Sequence, residues 1–302
     1  MDHSTTADFA AKQAQIDHQR AQAAEEYPRI WQRIIAEWSN TGDEDRAWLV
    51  YSANYLFRTA GLRWALDPLT LKQRIPQAPR VDVARDLSRL SLVLLTHRHA
   101  DHLDLNLLRA LRHLPIQWII PEPILPAVLS QAGLSLDQVI IPRPLQPIRT
   151  ASLSIIPFEG LHWEESPATG GSLRSVPAIA YLVEFNRKRW LFPGDTRTYD
   201  TQSLPSFGTI SGAFVHLWLG RACALRSEPP LLDAFCAFCA SLDAPRVIIA
   251  HLNEFGRDAN DYWDSGHYLK VQARCQDIAS QMQLEQAAWE TAWSSNNHCH
   301  FR

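Results

Sequence analysis

The chain has 302 residues, 46% of them hydrophobic, and a formal net charge of −3. That is enough apolar material for a sizeable core, and it leaves no overall basic footprint for nucleic acid. No apolar run approaches the roughly 20 residues that span a bilayer, and MDHSTTADFAAK lacks a basic stretch followed by an apolar one. The five cysteines, at 223, 236, 239, 275 and 299, are scattered and odd in number, so a cytoplasmic location with no membrane partner is expected.

Residues 1–45 read as an N-terminal helical arm and 46–302 as one α/β domain. In the arm, Tyr27, Ile30, Trp31, Ile34, Ile35 and Trp38 recur at helical spacing. Pro28 suits the first turn of a second helix, and Asn40-Thr41-Gly42 is a stop. The stripe must be covered by the domain or by a second copy of the chain.

From Ala47 the period changes. AWLVYSANYLF and LRWALD flank Thr59-Ala60-Gly61 and predict a β-hairpin. Strands are then predicted at 92–95, 117–120, 153–158, 178–185, 189–193, 212–219 and 246–250. Helices are predicted at 103–113, 122–133, 229–242 and 261–285. Strands with interleaved helices indicate layered α/β architecture.

The segment LVLLTHRHADHLD carries the chemistry. An apolar strand ends at Thr96, and His97, His99, Asp101 and His102 follow within six residues. Alternate residues of extended backbone share a side, so His97 and His99 point together, while Asp101 and His102 fall where the chain turns into a helix. Imidazoles with a carboxylate suit a divalent metal, and this many donors in one loop can serve two adjacent ions.

H-x-H-x-D-H resembles the signature of metallo-β-lactamase-fold hydrolases, and further motifs of that family occur in order. Asp67 in ALDP, His162 in FEGLHWE, Asp195 in LFPGDT and His251 in RVIIAHLNE each sit just beyond an apolar strand. The likeness covers about residues 45–255. Its T-H-x-H-x-D-H-x-D and G-D-T forms are most similar to the branch of ascorbate-6-phosphate lactonase and N-acylphosphatidylethanolamine phospholipase D.

The resemblance implies a four-layer αββα sandwich. It also implies that His97, His99 and His162 hold one ion, that Asp101, His102 and His251 hold a second, and that Asp195 bridges them. Two ions about 3.5–4 Å apart share and acidify a water, which would attack an ester, lactone or phosphodiester of a small molecule. Asp101 and Asp195 are thus the expected catalytic carboxylates, and Asp67 would orient a ligand histidine. Zinc is the expected ion; a donor set without cysteine also accepts manganese or iron.

Around these, Arg197 and Arg174 are expected to bind an anionic substrate, and His267 to face the pocket as a proton donor. Arg98 lies between two ligands and is the weaker candidate. His216 reads as a core histidine. Cys236 and Cys239, three apart on a helix, read as core packing. Two other readings compete: a nucleic-acid-processing nuclease, which needs a basic surface, and a non-catalytic metal-binding scaffold, which needs no bridging aspartate.

Overall fold

A computed structural model of the chain describes residues 3–42, 44–150, 152–165, 172–174, 176–289 and 291–294. The chain opens with α1 (His3–Ser39), β1 (Arg46–Leu49), β2 (Tyr55–Thr59) and β3 (Leu62–Leu66). Short helical turns α2 (Leu71–Arg74) and α3 (Val83–Asp86) lead to β4 (Leu92–Leu94), α4 (Leu105–Leu111) and β5 (Gln117–Ile119). A broken helical stretch containing α5 (Leu125–Ala127) precedes β6 (Val139–Ile140) and β7 (Ile148–Arg149). Then come β8 (Ser154–Glu159), β9 (Trp163–Glu165), β10 (Ser172–Arg174), β11 (Ile179–Phe185), β12 (Lys188–Gly194) and β13 (Gly212–His216). The last elements are α6 (Leu232–Ser241), β14 (Arg246–Ala250), α7 (Ser265–Ile278), β15 (Gln283–Gln286) and β16 (Ala292–Ser294).

Two seven-stranded sheets form, in the orders β16-β1-β2-β3-β4-β5-β6 and β15-β14-β13-β12-β11-β8-β7. Each is antiparallel on one side and parallel on the other. In the first, the pairs are antiparallel from β16 to β3 and parallel from β3 to β6. In the second, they are antiparallel from β7 to β12 and parallel from β12 to β15.

Three apolar clusters mark the interfaces between four layers. Between the sheets, Tyr55, Phe57, Trp64 and Leu94 meet Tyr181, Phe192, Phe214 and Ile248. The other face of the first sheet, with Leu56, Val93 and Trp118, is covered by Trp31 and Trp38 of α1 and Leu108 of α4. The other face of the second sheet, with Leu182, Val215 and Val247, is covered by Phe235 and Cys239 of α6 and Val271 of α7. The αββα sandwich is therefore present, and the four described cysteines are free and buried in it. No helix among the described residues is long and apolar enough to cross a membrane.

Three expectations change. α1 is one helix that runs through Pro28, not two. Proline removes one intrahelical hydrogen bond, but Ala23, Tyr27, Ile30, Trp31, Ile34 and Trp38 bury one continuous face against the first sheet on both sides of it. Its last carbonyls accept from arginines: Arg58 bonds Glu37 O and Asn40 O, Arg63 bonds Trp38 O, and Arg89 bonds Ser39 O. The helix expected over 261–285 stops at Ile278, and 283–286 pairs with β14 as an edge strand. AWLVYSANYLF is also not one strand; it breaks between Leu49 and Tyr55. The hairpin at Ala60-Gly61 forms as predicted, with both residues at positive φ as a tight two-residue turn needs.

Candidate metal centre

Strands β4, β8, β12 and β14 of the two sheets end at the same place. β4 delivers the loop of His97, His99, Asp101 and His102. β8 is followed by His162. Asp195 directly follows β12, and His251 directly follows β14. Backbone at Asp67 (φ 45°) and His251 (φ 67°) lies in the left-handed region that non-glycine residues avoid. Such strain persists where the surroundings over-determine a position, which fits two residues fixed at a functional site.

The donors converge in four overlapping groups: His97, His99, His162 and Asp195; Asp101, His102 and His251; Asp67, His97 and His102; and His102, Asp195 and His216. Within each group the potential ligand atoms lie within 4.8 Å of one another. Nε2 of His97 lies 3.1 Å from Nδ1 of His99, and Nε2 of His251 lies 3.2 Å from Asp101 Oδ2. All seven residues predicted as ligands therefore come together.

The hydrogen bonds behind the ligands fix which ring nitrogen is offered. Asp67 accepts from Thr96 N at 2.8 Å and from the Thr96 hydroxyl, and its Oδ2 is 2.8 Å from Nδ1 of His102. Because the Thr96 hydroxyl donates to Asp67, it accepts from Nδ1 of His97 at 2.9 Å. One buried carboxylate thus orients two histidines, each left with Nε2 facing the centre. His162 is fixed in the same sense, its Nδ1 donating to Val176 O at 3.2 Å.

The protonation balance favours cation binding. Burial pushes His97 and His99 below the usual imidazole range, and it pushes His162 and His216 down to about 4, so these rings are neutral donors near pH 7. His102 is the exception: burial disfavours its charge too, but Asp195, Asp67 and Asp101 outweigh it and raise its pKa well above the usual imidazole range, so a cation there would displace a proton. Burial also opposes the ionised forms of Asp195 and Asp101. His251 and His102, with Arg197 at the first and Arg257 at the second, nonetheless keep both carboxyls far below their ordinary range. Nε2 of His102 and Nδ1 of His251 are buried and make no well-aligned hydrogen bond among the described residues, although an Asp195 oxygen lies 3.2 and 3.8 Å away. Buried orphan nitrogens facing carboxylate oxygens, among neutral imidazoles, are what a divalent cation would satisfy.

Other predicted residues fall on both sides of the expectation. Arg197 is at the centre, with Nη2 3.0 Å from Asp195 Oδ2. Arg174 is in β10, but its side chain lies outside the described residues. Arg98 is exposed. His267 does not face the centre. Its Nδ1 is 2.8 Å from Asp264, which caps α7, and its Nε2 donates to Ala224 O at 2.8 Å, so neither nitrogen is left for a substrate.

Four residues were missed. His216 is buried as expected, but it belongs to the centre, with Nδ1 2.9 Å from Asp195 Oδ1. Its strand was expected to run to 219; it ends at His216, and β13 lies between β12 and β14, so its last residue falls between Asp195 and His251. Asn54 donates to the backbone carbonyls of Asp67 and Asp101 at 2.7 and 2.9 Å, tying the two ligand loops. Arg257 reaches Asp101 Oδ2 at 3.1 Å and His251 Nε2 at 3.3 Å. Glu254 sits behind it, 3.5 Å from Arg257 and 2.8 Å from Arg74. The offsets from His251 are short enough to have flagged Glu254 and Arg257, but only the fold shows that the loop curls back.

Two facing mixed sheets with a His/Asp centre at their common end define a metal-site protein of the αββα class. Residues 64–252 match the Beta-lactamase superfamily domain, and the chain belongs to that superfamily. No curated protein matches it. Among solved structures it is similar to CmlA, a diiron β-hydroxylase from Streptomyces venezuelae. That match has 16% identity and a TM-score of 0.59 over 84% of this chain and 54% of that one, so the chain spans about half the length of CmlA. It is also similar to a metallo hydrolase from the archaeon Ignicoccus hospitalis (17%, TM-score 0.57, 83% and 97% covered). A third similar structure is an isothiocyanate hydrolase from Delia radicum gut bacteria (15%, TM-score 0.57, 82% and 98% covered).

Proposed function

We propose that the chain is a dinuclear metal-dependent hydrolase of a small-molecule ester, lactone or phosphodiester. The observation that carries this reading is that two adjoining donor groups meet at Asp195 and His102. His97, His99 and His162 would hold one ion, Asp101, His102 and His251 the other, and Asp195 would touch both. Bound ions supply positive charge that polarises the scissile bond and makes water nucleophilic at neutral pH. The nitrogen-rich donor set favours zinc, and manganese or iron would also fit it.

The chain's own residues do the rest. Asp67, through Thr96 and directly, fixes the rings of His97 and His102. His216 and Arg197 grip the two oxygens of Asp195 from different sides and hold its plane. Arg257 pairs with Asp101 at 3.1 Å. The similar Ignicoccus and isothiocyanate-hydrolysing structures, both hydrolases, support the reaction class. The finer likeness to the lactonase and phospholipase D branch rests on the motif forms around His97 and Asp195.

Metal analysis of protein loaded with zinc, with hydrolysis of 4-nitrophenyl acetate, a γ-lactone and bis(4-nitrophenyl) phosphate as the readout, tests this reading. Expected are about two ions per chain and cleavage of at least one substrate. A ceiling of one ion in excess metal would sink the dinuclear assignment.

A further inference from the structure

A recess of about 410 Å³ opens at Arg197, which with Thr198, Trp218, Gly220, Arg221, Pro230 and Leu231 lines it. Arg197 belongs to both places. It is only 8% exposed, its Nη2 bonds Asp195, and its guanidinium lies flat on Trp218, 3.8 Å from the ring centroid. Its other amino nitrogen, Nη1, is buried and has no hydrogen-bond partner among the described residues. A buried, unpaired guanidinium N–H is costly to keep unless something completes it.

The surroundings hold this side chain in place. The Tyr199 hydroxyl donates to the Trp218 carbonyl, and Trp263 meets the Trp218 ring edge-on at 6.2 Å. Gly220 takes φ 118°, and a Cβ there would sit 2.9 Å from Pro230 and 3.0 Å from Cys223, so the wall closes only around glycine. A planar guanidinium stacked on an aromatic ring is held in one orientation, and with Nη2 on Asp195 it has Nη1 left to offer an oxyanion. The remaining wall is mixed: Trp218, Pro230 and Leu231 form an apolar side, and Thr198 and Arg221 a polar one.

We propose that this recess anchors the substrate, that it takes an oxyanion group (carboxylate or phosphate) carried on an apolar body, and that Arg197 determines this specificity. It rests on the hydrolase reading only in naming the ligand a substrate. Arg197 acts on binding, and it also positions Asp195.

Calorimetric titration of the zinc-loaded full chain with benzoate, phenylphosphonate and the neutral benzyl alcohol tests the proposal. Both anions should bind at least about tenfold more tightly than the alcohol. Arg197→Gln should abolish that preference, and Arg197→Lys, which keeps the charge without the planar guanidinium, should restore part of it. Because Arg197 touches Asp195, bound metal is measured in each variant. Trp218→Leu, which frees the guanidinium without touching a ligand, should weaken both anions at wild-type metal content. Protein stripped by a chelator should keep the preference. Loss of the preference on chelation, or its survival in Arg197→Gln, would overturn the proposal by placing the anion on the ions. Failure of the hydrolase reading would look different: no metal retained and no ester cleaved, with the anion preference intact.

Discussion

The two sheets carry equal shares of the centre in opposite ways. The first contributes His97, His99, Asp101 and His102 from one loop after β4. The second contributes His162, Asp195, His216 and His251 from the ends of four strands, spread over 90 positions of chain. The first group is built by local backbone geometry, with Asp67 behind it. The second exists only once β12, β13 and β14 lie side by side, in a register that sets Gly194 beside Val215 and His216 beside Ala250. Its donors therefore depend on long-range pairing, and its parts should fail together.

Asp195 is where the halves meet, so Asp195→Ala should break the comparison most severely. Turnover on the best generic substrate should fall by about a thousandfold or more, with the circular dichroism spectrum retained. Near-normal turnover would show that the halves work without a shared carboxylate.

Acid should weaken both halves of chelator-treated protein and set His102 apart from the other histidines. His162 and His216 stay neutral in the fold down to about pH 4, whereas imidazoles in the unfolded chain take up protons near 6.5. Between those values the unfolded state binds more protons, so stability falls as pH falls, by on the order of 3 kcal/mol for each residue at most. His97 and His99 add to this fall in the same direction. His102, held charged by its carboxylates, is protonated in both states below 6.5 and adds no slope there. Its stabilisation is lost only as pH rises through its elevated folded value. Thermal melts from pH 7.5 to 4.5 check this. His162→Gln should flatten the profile, and an unchanged profile would assign the effect to other groups.

Asp67→Ala tests the first half alone. It releases Thr96, His97 and His102 together, and metal affinity should drop by about 10–100-fold, read by competition with a chromophoric chelator. The smallest effect is expected from His216→Asn, which loosens one oxygen of Asp195. A loss of about tenfold in kcat at unchanged metal content would mark it as a positioning residue. Restoration of metal content by excess zinc, without restoration of kcat, would separate that role from ligation.

The same contrast explains what could be read from sequence. His97, His99, Asp101 and His102 were legible because their spacing is local and dense. Asp67, Asp195 and His251 were legible because each follows an apolar strand within a family motif. His216 was not, because a strand read three residues too long places it mid-strand in the core, and only the sheet order puts it between two ligands. Asn54 was hidden inside what reads as one apolar strand. Arg257 was hidden in a loop whose return to Asp101 depends on Glu254 and Arg74. His267 was misplaced for the opposite reason: a histidine at a helix start reads as available, whereas this one is committed to a cap. The helix break expected at Pro28 failed because local propensity lost to a long buried face.

The long first helix has a further consequence for how the chain acquires its shape. Lys12 pairs with Asp264, Gln13 accepts from Ala259 N, Arg20 donates to Phe255 O and Gln19 accepts from the Tyr262 hydroxyl. These contacts join residues 235 to 252 positions apart, and the loop they fasten is the one that bears Glu254 and Arg257. During synthesis the helix emerges before its anchoring partners, which follow more than 230 residues later. Until then Tyr27, Trp31 and Trp38 have only part of their covering surface, and exposed aromatic rings invite association with other chains. Closure of the helix onto that loop is thus set late in the folding sequence, among the slow, non-local steps.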